Sequence, residues 1–147
     1  METICTFFGH RDVLSDIKDS LTKEIERHIT EKGVTTFYVG DYGNFDRMAA
    51  GILSGMEKNY PHIEVRKVLA YISGKKAGFA PSREENTLCP DGLEFAPWKF
   101  AVTHRNRWMV EQSDYLISYV RSSYGGAYEA LKYAKGKGKN IVNLADV

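Results

Sequence analysis

The sequence predicts an α/β fold with a mostly parallel sheet of about five strands. The main observation behind this is the alternation of short apolar runs with stretches of helical periodicity along the chain. Another is that the connections are long enough for the helical crossovers that parallel pairing requires. Length is the third: 147 residues suit one domain, 1–147. A domain of this size buries roughly 70% of its unfolded surface, enough for a core without metal or disulfide staples.

The apolar runs are Ile4 to Phe8, Val34 to Val39, Ile63 to Ala70, Tyr115 to Val120 and Asn140 to Leu144. The first, second and fourth are nearly continuous, as in strands covered on both faces. Glu64, Arg66 and Lys67 interrupt the third and place it nearer an edge. Between the runs, Leu14, Ile17, Leu21, Ile25 and His28 form a stripe at steps of three and four, and Gly33 stops that helix. A second helix is expected from Asp46 to Asn59, ended by Tyr60-Pro61. The third runs from Phe100 to Gln112, with Arg105, Met109 and Gln112 on one face. The fourth, Gly126 to Lys135, turns Ala127, Leu131 and Ala134 inward and is broken by Gly136 and Gly138. Tyr71 to Trp98 does not fit this rhythm. It reads as a long loop (71–98), either a lid over a site or a surface excursion without a role.

Composition excludes several function classes. With 43% hydrophobic and 27% charged residues the chain is neither disordered nor membrane-spanning, and no apolar run approaches the roughly 20 residues of a membrane helix. Lys plus Arg number 20 against 19 Asp plus Glu, a net charge of +1. That balance argues against a binder of duplex nucleic acid, which needs a basic excess. It still permits a local cluster of arginines around one anion. Cys5 and Cys89 form neither a disulfide framework nor a zinc motif, and Cys5 reads as a buried thiol. The sequence shows no cofactor or metal motif. The opening residues lack a basic segment like that of a signal peptide, so a cytoplasmic setting is expected.

In open parallel sheets, ligands bind beyond the carboxyl ends of the strands. Gly9-His10-Arg11-Asp12 follows the first run, and Gly40-Asp41-Tyr42-Gly43-Asn44-Phe45-Asp46 follows the second. Arg121-Ser122-Ser123-Tyr124-Gly125-Gly126 follows the fourth and leads to Glu129. Glycines let the backbone approach a ligand, and free N–H groups at a helix start favour an anion. Three such loops at one edge make a cradle for a phosphate and a ribose, although none is a dinucleotide fingerprint or a P-loop. Asp12 and Asp46 have a plainer role as helix caps, favoured for Asp12. His10 is either a loop histidine satisfied locally or a ligand contact. In Arg105-Asn106-Arg107, the arginines are two apart and point different ways. Arg105 faces the pocket or is one of two surface arginines, and Arg107 is solvated or paired. Glu129 either complements the helix dipole or acts on a ligand, by binding ribose or working at a glycosidic bond.

The string Arg105-Asn106-Arg107-Trp108-Met109-Val110-Glu111-Gln112-Ser113-Asp114 is followed by an apolar strand. Gly125-Gly126-Ala127-Tyr128-Glu129-Ala130-Leu131 and Gly138-Lys139-Asn140-Ile141-Val142-Asn143-Leu144 come next. Together these resemble the SLOG superfamily, the Rossmann-like group that includes DNA-processing protein A and the "lonely guy" phosphoribohydrolases. Phe8-Gly9-His10-Arg11 is most similar to its small bacterial YpsA-like branch. The resemblance spans nearly the whole chain and implies a Rossmann-like three-layer αβα sandwich. In the phosphoribohydrolases an arginine precedes the Ser-Asp aspartate by nine positions, as Arg105 precedes Asp114. Their P-G-G-x-G-T-x-x-E motif resembles Gly125-Gly126-Ala127-Tyr128-Glu129 in its last part. Ser122-Ser123-Tyr124 departs from the Pro-Gly-Gly portion, and Gly126 replaces the threonine.

The resemblance leads to an expected binder of a nucleotide or nucleotide-derived small molecule. Its pocket would be lined by Gly9, His10, Arg11, Gly40, Asp41, Tyr42, Gly43, Asn44, Phe45, Asp46, Asn106, Ser122, Gly125 and Gly126. Arg105 would meet phosphate and Glu129 ribose. The alternative is an enzyme acting on nucleoside monophosphates, a phosphoribohydrolase- or deoxyribosyltransferase-like glycosidase with Arg105 and Glu129 as its catalytic pair. Single-strand DNA binding is the weaker alternative. A homo-oligomer is expected, with Trp98 and Trp108 serving either its interface or the core.

Overall fold

The computed structural model describes residues 2–13, 15–40, 43–69, 87–88 and 98–146. The strands are β1 (Ile4–Gly9), β2 (Thr36–Val39), β3 (Glu64–Val68), β4 (Thr87–Leu88), β5 (Tyr115–Tyr119) and β6 (Asn140–Asn143). The helices are α1 (Lys18–Thr30), α2 (Asn44–Asn59), α3 (Trp98–Gln112) and α4 (Gly126–Gly136), with 3-10 turns at Ser15–Ile17 and Leu144–Asp146. Among the described residues all strands are parallel, in a 6-stranded sheet of order β4-β3-β2-β1-β5-β6.

The two-residue period of the central strands divides the core between two faces. Cys5 and Phe7 of β1, Phe37 and Val39 of β2 and Ile117 of β5 face one layer. There they meet Leu21, Ile25 and Ile29 of α1 and Phe45, Ala49 and Leu53 of α2. Ile4 and Phe8, Tyr38 and Leu116 face the other, against Met109 and Val110 of α3 and Ala130 and Ala134 of α4. The sandwich therefore has three layers. Continuous apolar runs at β1, β2 and β5 follow from this, because each strand is covered on both sides. Burial also holds the Cys5 thiol pKa well above its ordinary 9.0, so the residue behaves as a small apolar filler.

Several sequence expectations are corrected here. β3 lies nearer an edge, as expected, but Thr87–Leu88 pairs outside it as a short edge strand within the stretch read as loop; the rest of that stretch, 71–86 and 89–97, lies outside the described residues. Helix α3 starts at Trp98, two residues earlier than expected. Its inner face carries Arg105 and Met109, but Gln112, the last helical residue, is exposed. Asp12 caps no helix: it stands exposed in a turn, and helical geometry begins only at Ser15. Nor does Asp46 cap α2, whose N-cap is Gly43 without a side-chain hydrogen bond. Trp108 is half-buried and stacks on Tyr38, with ring centroids 5.4 Å apart and planes 12° from parallel. It therefore packs with the core.

His28 on α1 is 1% exposed and edge-on to Tyr115, with Nδ1 donating to the Glu24 carbonyl at 2.7 Å. Burial lowers its pKa from the ordinary 6.5, and Arg27 and Lys32 push the same way, while the Glu24 carbonyl and carboxylate oppose them. Below pH 6.5 the unfolded chain therefore takes up a proton that the folded chain refuses, and stability falls with pH until the lowered folded-state value is reached. His28→Gln is expected to flatten the dependence of the urea midpoint on pH below 6.5. An unchanged slope would show that the histidine is not held neutral.

Candidate functional site

The strand order reverses between β1 and β5. β1 leads to α1 on one face and β5 to α4 on the other, so their loops part and open a crevice at the carboxyl edge. A cleft of 1210 Å³ lies there, walled by the loop after β1, the inner side of α3 and the β5–α4 turn.

The two loops are fastened to each other. His10 Nε2 accepts the backbone N–H groups of Arg121 at 2.8 Å and Ser122 at 3.4 Å, which assigns the ring proton to Nδ1. The His10 backbone N–H donates to the Tyr119 carbonyl at 3.3 Å. Asn143 of β6 grips Val120 through both amide atoms, at 3.0 Å each. The Ser122 hydroxyl donates to the Tyr124 carbonyl at 3.1 Å, and the Arg121 guanidinium lies 5.4 Å from the Tyr119 ring centroid. These bonds determine the path of the β5–α4 turn before any ligand arrives.

That turn ends at Gly125, with φ 98° and ψ 170°, a conformation that L side chains rarely adopt. Gly43, which opens α2, has nearly the same angles, 94° and 174°. At Gly43 a Cβ would also lie 2.6 Å from Arg11 Cα, while the Asn44 N–H donates to the Arg11 carbonyl at 2.9 Å. The first bond of α4 runs from the Glu129 N–H to the Gly125 carbonyl at 3.0 Å, and no side chain caps the helix. The N–H groups of Gly126, Ala127 and Tyr128 thus have no acceptor within the helix and favour an anion. Glu129, one turn in, lines the cleft and is exposed; among the described residues its carboxylate accepts no hydrogen bond.

Below the mouth lie buried polar groups. Arg105 is 4% exposed, and Asn106 and Asp46 are each 8% exposed. Arg105 donates from Nε and Nη2 to Asn106 Oδ1, at 3.3 and 3.1 Å, which turns the amide nitrogen the other way. A Cβ at Gly126 would meet that nitrogen at 4.0 Å, so the amide donor faces the start of α4. A Cβ at Gly40 would meet Asp46 Oδ2 at 2.7 Å and Arg105 Cζ at 3.5 Å. The carboxylate and guanidinium converge over a residue that must lack a side chain.

Of the residues singled out in the sequence, Gly9, His10 and Arg11 line the cleft from one side. Arg105, Asn106 and Asp46 do so from another, and Ser122, Gly125, Gly126 and Glu129 complete it. Gly40, Gly43, Asn44 and Phe45 do not line it. Phe45 is 1% exposed in the core beneath Gly9, and exposed Asn44 receives Arg47 Nη1 at 3.1 Å. Asp41 and Tyr42 lie outside the described residues. Sequence reasoning missed Arg121 and Tyr124 as lining residues and read Arg107 as solvated or paired. Arg107 is exposed, 5.2 Å from the Tyr133 ring centroid, and also borders the cleft. The signal for Arg121 was its place directly after an apolar strand, where a side chain reaches the carboxyl edge. Among the described residues no group of three or more His, Cys, Asp or Glu side chains is placed to hold a metal ion.

A parallel sheet with this reversal, helices on both faces and a cleft at the carboxyl edge defines a Rossmann-like fold. Among solved structures the chain is similar to DNA processing protein A (DprA) from Streptococcus pneumoniae. The TM-score is 0.66 at 15% sequence identity, over 95% of this chain and 49% of that one. The chain thus spans about half the length of that structure. No protein-family model matches the sequence, and no curated protein matches it. No helix among the described residues is long and apolar enough to cross a membrane.

Proposed function

We propose that the cleft binds a nucleotide or nucleotide-derived small molecule, with a phosphate at the start of α4. The observation that carries this reading is the uncapped helix start at Gly125-Gly126 facing a cleft bordered by Arg11, Arg105, Arg107 and Arg121. Backbone N–H groups and the Asn106 amide would hold the phosphate. Arg105 would supply charge from the floor, with Arg121 at the mouth, and Glu129 would accept from ribose hydroxyls. The name of the structural neighbour, a DNA-processing protein, is compatible with a nucleotide-related role. A thermal-shift panel of nucleoside mono- and diphosphates and ADP-ribose derivatives tests the reading. Stabilisation by phosphorylated members over the corresponding nucleosides is expected, and no shift across the panel would refute it.

Glu129 favours a second reading, because its carboxylate stands open in the cleft. A carboxylate there can stabilise or attack the oxocarbenium-like centre formed as an N-glycosidic bond breaks. Under this reading the protein releases free base from nucleoside monophosphates, and Glu129→Gln lowers turnover by at least about 100-fold. Absence of base release by the unaltered protein removes the enzymatic reading and leaves the binding one standing.

A further inference from the structure

The β5–α4 turn holds one side chain that the phosphate and ribose contacts leave unexplained. Tyr124 is 76% exposed, the large apolar side chain left open among the described residues, and it lines the cleft. Among those residues its ring makes no ring contact and its hydroxyl no hydrogen bond. A lone exposed aromatic on a loose loop needs no explanation. The backbone here is not loose. His10 accepts from Arg121 and Ser122, the Ser122 hydroxyl donates to the Tyr124 carbonyl itself, and Gly125 then enters α4 at φ 98°. The tyrosine is therefore presented by a fixed turn, next to the helix start where a phosphate would sit.

We propose that Tyr124 is the base-stacking residue of the site, which makes the ligand a base-bearing phosphate and not a sugar phosphate. This rests on the nucleotide reading above. A flat, polarisable ring at the rim, with Arg121 and Arg107 also bordering the cleft, suits a nucleobase projecting out from an anchored phosphoribosyl group. Stacking accepts every base, because each presents a π-face. The site therefore distinguishes presence from absence of a base far better than one base from another.

The test is a titration of the full chain and of Tyr124→Ala and Tyr124→Phe with AMP, CMP and ribose 5-phosphate. The unaltered protein is expected to bind both nucleotides about tenfold more tightly than ribose 5-phosphate. Tyr124→Ala loses that advantage for both nucleotides and binds ribose 5-phosphate unchanged, while Tyr124→Phe keeps it. The exposed ring makes little contact with the fold, so the ligand-free melting temperature of Tyr124→Ala stays where it was. Equal losses for AMP and ribose 5-phosphate would overturn the proposal, as would unchanged AMP binding, including the case where only self-association weakens. If the unaltered protein binds ribose 5-phosphate but gains nothing from a base, the stacking proposal fails and a phosphate site remains. If it binds none of the three, the stacking proposal fails, and the nucleotide reading is decided by the wider panel above.

Discussion

Phe45→Ala is expected to destabilise the fold by about 3–5 kcal/mol, the range for emptying a buried aromatic site. Phe45 is 1% exposed and packs against Phe7, with ring centroids 6.5 Å apart. It also lies where Gly9 would carry a side chain: a Cβ at Gly9 would fall 2.3 Å from Phe45 Cγ and 2.8 Å from its Cβ. Gly9→Ala must therefore push the ring and the start of α2 outward, at about 1–3 kcal/mol. The double variant should cost less than the sum, because the new methyl enters space the ring has vacated. Urea denaturation of the two single variants and the double gives the coupling directly. Strict additivity would mean that Gly9 and Phe45 do not share this space.

Gly9 lines the cleft, whereas Phe45, expected in the pocket with it, fills the core directly beneath it. Both belong to glycine-containing loops at the carboxyl edge, and sequence alone does not show which side of such a loop meets ligand and which meets core. The strands were legible because β1, β2 and β5 are buried on both faces, which removes the polar alternation of a half-exposed strand. Thr87–Leu88 was not, since two residues at a sheet edge leave no period to read. Arg105 shares a helix face with Met109, which allowed either a pocket-facing or a surface arginine, and its burial decides for the inner face. Its fixed partner Asn106 was visible in sequence only as a neighbour, and its convergence with Asp46 over Gly40 depends on three separate elements meeting. Asp12 misled because an aspartate ahead of a helical stripe usually caps it. Here the chain turns first and becomes helical only at Ser15.

Gly126→Asp is expected to remove nucleotide binding while leaving the fold intact. A Cβ at Gly126 meets nothing closer than Asn106 Nδ2 at 4.0 Å, so there is room for the side chain. A carboxylate in the first turn also complements the helix dipole, worth about 0.3–1 kcal/mol of stabilisation. The same carboxylate competes with phosphate for the free N–H groups and repels it. Losing those charge-assisted hydrogen bonds weakens binding by at least about 100-fold.

The direct measurement is a calorimetric titration of a nucleoside monophosphate into the unaltered protein and into Gly126→Asp, alongside their ligand-free melting temperatures. A phosphate seated at the start of α4 predicts saturable one-to-one binding to the first and none to the second, with the variant melting no lower. Equal binding by both proteins, or none by the unaltered one, would contradict it.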